Sequence, residues 1–194
     1  MIASLVTLAG VVGFALSMLI GSNFASYLSS MVIAWGFVPM ISSFAAYSKN
    51  EAKATSYTAI AFAAIYSTFV ILVYFAQLTT VRLENLSTEA TNLLNYTQFG
   101  LFFNYDLLGY AFMALATFFI AWSIQTQTNG DKWLRGLLFI HGIFAISCVV
   151  MPILGLFHAH MQGGSEIGVL ALLFWCAYFI PICVLSFLHF KRQL

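Results

Sequence analysis

GLFFNYDLLGYAFMALATFFIAWSI, residues 100–124, is an apolar run with one charged side chain, Asp106. As a helix it would extend ~37 Å, more than the ~30 Å hydrocarbon core of a bilayer. It therefore reads as a membrane-crossing helix, and its excess length leaves two placements for the aspartate. If the buried portion is 107–124, Asp106 caps the helix at the interface, where its charge meets the positive end of the dipole. If the helix starts at residue 100 and tilts, Asp106 lies about one and a half turns inside, where a charge needs a partner or a water-filled cavity.

The same pattern recurs along the chain. Apolar stretches cover about 4–22, 27–47, 57–78, 134–157 and 167–190, each close to the ~20 residues a spanning helix requires. Of the 194 residues, 62% are hydrophobic and 7% charged, against roughly 25% charged in a soluble domain. Ten-residue segments of alternating polarity, the mark of a membrane β-barrel, are absent. In lipid the backbone must satisfy its own hydrogen bonds, which a helix does. The expectation is an all-α, polytopic integral membrane protein: one domain, residues 1–194, built as a bundle of six transmembrane helices. The first run lacks a basic leader, so it reads as a retained span rather than a cleaved signal. A net charge of +1 gives no footing for nucleic acid. Cys148, Cys176 and Cys183 all lie in apolar runs and read as packing residues, not as a disulfide framework.

Charge in the connections predicts orientation. Lys49, Lys53, Lys132, Arg135, Lys191 and Arg192 fall on one side of a six-span topology, and Arg82 alone on the other. The excess of basic residues marks the cytoplasmic side, so both termini are expected in the cytoplasm and the protein in the cell membrane. The long outer connection, 79–99, contains Ser87 followed by Glu89, an N-cap and a first-turn acid. It predicts a short interfacial helix between spans three and four, with Leu86, Ala90, Leu93 and Leu94 as its apolar face. Pro39, Pro152 and Pro181 lie inside spans two, five and six, where each is expected to kink its helix.

Helices in lipid associate through small residues, and span one supplies Gly10, Gly13, Ser17 and Gly21. This stripe predicts close packing on span two, or on a partner membrane subunit or second copy. In size and layout the chain resembles the substrate-binding subunits of energy-coupling-factor vitamin transporters, with Ala9, Gly13 and Ser17 as the matching residues. That resemblance implies a six-helix fold, a small-molecule ligand and a docked partner subunit.

The polar residues of spans three and four suggest a site. Tyr74 and Gln77 share a face of span three, and Asp106, Gly109, Tyr110, Met113 and Thr117 share one of span four. Arg82, one connection away, is the natural partner for Asp106. The leading reading is an outward-facing site for a small ligand or ion. Asp106 would be its counter-charge, Arg82, Gln77 and Asn104 its polar end, and Tyr74 and Tyr110 its walls. His158 and His160, with Glu166, form the candidate metal set, as they could project together from an extended outer loop. His141 shares a face with Ala145 and Cys148 and reads either as a satisfied membrane histidine or as a functional one. His141 and His189 lie at different depths, which argues against a haem pair. No G-x-S-x-G, H-E-x-x-H or Walker motif is present, so no catalytic residue and no cofactor are assigned. Two other readings remain: an accessory or assembly protein acting through helix faces, and a membrane enzyme or redox protein using histidines.

Overall fold

The computed structural model of the chain describes residues 1–157 and 164–193. Six helices are long and apolar enough to cross a membrane, and no strand occurs among the described residues. The chain is thus a multi-pass membrane protein, an all-α six-helix bundle, as the hydropathy pattern predicts.

Span one is α1 (Ile2–Leu19) and span two is α2 (Asn23–Ala46). Gly21 turns the chain between them at φ 70°, and the Ser22 hydroxyl caps α2 by accepting from the Ala25 amide at 3.3 Å. The two helices interlock through small residues. A Cβ on Gly10 would sit 2.8 Å from Ile33 Cγ1, and one on Gly36 would sit 2.7 Å from the Thr7 backbone nitrogen. Of the predicted stripe, Gly13 faces Ser29 of α2 and Ser17 is buried. Gly21 belongs to the turn and packs on nothing. The tight partner is therefore span two of the same chain.

Span three is α3 (Lys53–Ala76), continued by a π-helical turn, Gln77–Val81. The connection holds α4 (Thr88–Leu94), the short helix expected there, with Ser87 accepting from the Ala90 amide. Leu86, Ala90 and Leu94 are half-buried beneath it, whereas Leu93 is 52% exposed and lies off the packed face. A 3₁₀ turn, Tyr96–Gln98, leads to α5 (Leu101–Ala121). Gly100 is required here by close approach, because a Cβ would fall 2.0 Å from the Asn92 carbonyl oxygen.

Span five is two helices, α6 (Asn129–His141) and α7 (Phe144–Ile153). The break falls at Gly142 rather than at Pro152. There the amides of Gly142, Ile143, Ala145 and Ile146 donate three residues back instead of four. A Cβ at Gly142 would lie 2.8 Å from Phe118 Cβ, so packing on α5 and tight local bonding select the glycine as the bend. α8 (Gly164–Arg192) is span six and runs through Pro181 without interruption, as α2 does through Pro39.

Consecutive spans are neighbours around the bundle: α1 on α2, α2 on α3, α3 on α5, and α5 on α6 and α7. α8 closes the ring by packing on α1 and on α6. The core is lined by Phe37, Tyr66, Met113, Leu138 and Phe179, with the Phe37 ring 5.2 Å from Tyr66 and 6.2 Å from Phe179. Large apolar side chains such as Ile2, Leu19, Phe75 and Leu170 point outward, as lipid-facing residues do. Both termini share one end with six of the seven basic residues, here called the basic end. α4 and its flanking turns cover the opposite, far end.

Candidate functional site at Asp106

α5 begins at Leu101 with Gly100 as N-cap and no side-chain cap. Asp106 is therefore inside the helix, the second of the two placements, and only 2% exposed. Its Oδ2 accepts from the Tyr74 hydroxyl at 3.0 Å. Its Oδ1 is buried with no hydrogen-bond partner among the described residues. The Tyr66 and Tyr110 hydroxyls are likewise buried and unpartnered, their rings 5.6 Å apart. A buried polar atom without a partner is uncommon and calls for an explanation.

Tyrosines surround the carboxylate on the far-end side. Tyr27 of α2, Tyr74 of α3 and Tyr96 of the linker pack as a triangle, with ring centroids 5.3, 5.8 and 6.0 Å apart. Burial, with Asp106 beside it, holds the Tyr96 phenol well above its ordinary pKa. Gln77, 3% exposed, anchors this linker with both ends of its amide. Its Nε2 donates to the Leu94 carbonyl at 2.7 Å, and its Oε1 accepts from the Tyr96 amide at 3.0 Å. The π-helical turn that carries Gln77 thus places Tyr96 over the site.

The remaining predicted residues distribute differently. Arg82 does not meet Asp106: its Nε donates to the Leu78 carbonyl, and its guanidinium stacks over Phe24 at 5.2 Å. Arg82, Gln77, Tyr27 and Asn95 line a far-end cleft of about 230 Å³ above the tyrosines. Asn104 is exposed and outside that cleft. Tyr110 is half-buried and packs edge-on against Trp175 of α8 at 5.6 Å. His158 and His160, and the Glu166 side chain, lie outside the described residues. Among the described residues no group of three histidine, cysteine or acidic side chains converges to hold a metal. A larger cleft of about 610 Å³ at the basic end is lined by Lys49, Glu51, Arg135 and neighbours, with none of the predicted site residues.

His141, 1% exposed, has both ring nitrogens occupied. Nε2 accepts from the Trp175 indole N–H at 3.0 Å, and Nδ1 meets the Thr117 hydroxyl at 2.8 Å. Because Thr117 donates to the Ala114 carbonyl, Nδ1 carries the proton and donates to Thr117. One neutral tautomer satisfies every group in the chain, which leaves no free lone pair for a metal.

Sequence reasoning named Tyr74 and Tyr110 but not Tyr27, Tyr66 or Tyr96. Tyr66 had a signal, because it precedes Tyr74 by eight residues and so shares its helix face. Tyr27 and Tyr96 had none, as only the fold brings them to α5. No protein-family model, curated protein or solved structure matches this chain. The likeness in size and layout to vitamin-transporter subunits gains no support from them.

Proposed function

We propose that this protein is a membrane-embedded binding or transport component that takes a small ligand or ion at Asp106 from the far end of the bundle. The carrying observation is a carboxylate inside a membrane helix with one oxygen unpartnered and, among the described residues, no basic side chain bonded to it. Such groups are costly in lipid and are kept where a charge must be met. The far-end cleft supports the direction of access, because Tyr27 belongs both to its lining and to the triangle over the site. The basic end is read as cytoplasmic by the positive-inside rule, which makes the cleft extracytoplasmic.

The assembly reading draws on a different feature: α7 contributes no buried residue to the bundle, leaving a face open to lipid or to a partner subunit. The glycine stripe of α1 no longer favours it, since Gly10 and Gly13 are spent on α2.

The test is a thermal-shift screen in detergent with amines, metal ions, vitamins, quinones and lipids, on wild type and Asp106→Asn. A ligand of the folded state raises the midpoint by mass action. The expected result is a compound class that stabilises wild type and not the variant. If every stabilising compound acts equally on both proteins, Asp106 is not the site.

A further inference from the structure

We infer that the positive charge Asp106 takes up is a proton, held on the carboxyl group and exchanged with the far-end cleft past Tyr74 and Tyr96. This rests on the reading of Asp106 as the charged centre of the molecule.

Charge leads to the proton first. Among the described residues, the titratable groups facing Asp106 are Tyr27 from α2, Tyr66 and Tyr74 from α3, Tyr96 from the linker, Tyr110 from α5 itself and Cys148 from α7. α8 contributes Trp175, beside Tyr110, which does not titrate. Every titratable neighbour is an acid, neutral in its protonated form, and none can supply a positive charge. Arg82, a base at this end, is held over Phe24 instead. An ionised carboxylate taken out of water with no compensating charge pays a desolvation cost that protonation removes.

Space leads to the same ion. The rings of Tyr27, Tyr74 and Tyr96 are in mutual contact at 5.3–6.0 Å between centroids. An organic ammonium or a coordinated alkali ion would have to part them, whereas a proton needs no volume. The unpartnered Oδ1 is free to carry it, and the Tyr66 and Tyr110 hydroxyls are also buried without a bond among the described residues.

The geometry also supplies a route. Tyr74 touches the carboxylate, Tyr96 packs on Tyr74, and Tyr27 packs on both and lines the cleft. In release, the carboxyl group rotates to turn its proton to the Tyr74 oxygen, the Tyr74 hydroxyl swings away from Asp106 and gives up its own proton toward Tyr96, and water in the cleft takes the last proton. One proton leaves, one carboxylate remains, and each phenol ends neutral. Uptake is the reverse.

Infrared difference spectroscopy of the protein in lipid tests this directly, comparing wild type with Asp106→Asn and Tyr74→Phe. The expected result at neutral pH is a protonated-carboxyl carbonyl band that is lost in Asp106→Asn, shifts in deuterium oxide, and is unmoved when sodium is replaced by potassium or choline. Tyr74→Phe should move that band to higher frequency by removing the hydrogen bond to Oδ2, without abolishing it. Carboxylate bands assigned to Asp106 at neutral pH, or a carboxyl band that disappears on adding sodium, would overturn the proposal. If ligands still stabilise wild type and not Asp106→Asn while the carboxyl band is missing, the proton fails and the ligand site stands. If the band is present and no compound binds, the proton site stands alone.

Discussion

Buried polar side chains in this bundle meet two fates, and His141 and Asp106 show both. His141 donates to Thr117 and accepts from Trp175, so its neutral form leaves nothing unpaired. Asp106 has one donor and an orphaned oxygen. The contrast separates a structural polar residue from a candidate site without appeal to rarity, since both lie in apolar sequence. Trp175→Phe keeps the ring packing on Phe179 but leaves His141 Nε2 without its donor. An unsatisfied buried acceptor costs about 1–3 kcal/mol, so the variant should melt lower by a corresponding amount in detergent, with ligand-independent midpoints falling in parallel. An unchanged midpoint would mean that the indole bond contributes nothing. Most hydroxyls in the spans need no such partner. Thr7, Ser30 and Ser186 each donate to the carbonyl four residues earlier in the same helix, which is how such residues are carried through lipid.

Helix ends carry the second kind of information. Thr128 and Asp131 form a capping box at the start of α6, and the T-x-x-D spacing is visible in the sequence. What the spacing does not show is that Asp131 also receives His189, at 2.7 Å, and Arg192 from the end of α8. One carboxylate thereby caps one helix and ties down another, 61 residues away. Asp131→Ala should lower stability by about 1.5–3 kcal/mol, the range for a hydrogen bond to a charged group, because the Arg192 side chain is 38% exposed and water can take the place of the carboxylate. Asp131→Asn, which keeps the cap acceptor, should lose less. The measurement is the detergent melting midpoint of the three proteins, and equal midpoints for Ala and wild type would refute the tie. The bend in span five belongs here too. Pro152 predicts a kink, yet the break sits at Gly142 and α7 ends one residue past the proline. A glycine pressed against Phe118 fixes where two helices can touch.

The ring of six helices gives the molecule two chemically different ends. The basic end holds the Asp131–His189–Arg192 cluster and the remaining cations. The far end holds Asp106, its tyrosines and a cleft whose lining includes Arg82. If the basic end is cytoplasmic, cysteine introduced by Glu84→Cys, in an exposed position of the long connection, should react with a membrane-impermeant maleimide on intact cells. Cysteine introduced by Lys49→Cys should react only after permeabilisation. The reverse pattern would invert the proposed access to Asp106.

Composition and hydropathy alone determined that this chain lies in lipid as six helices, because the length and apolarity of a span are properties of contiguous sequence. They also placed α4, since a cap and a first-turn acid are local signals. The fate of Asp106 was not local. Whether it caps, pairs with Arg82 or stands unpaired depends on where α5 begins and which way Arg82 turns, and both are set by contacts with α2, α4 and the linker. The tyrosine triangle joins residues 27, 74 and 96 from three elements, and no periodicity links them. Side chains brought together by packing acquire their environment only from the tertiary structure, because burial and hydrogen-bond partners are properties of neighbours in space.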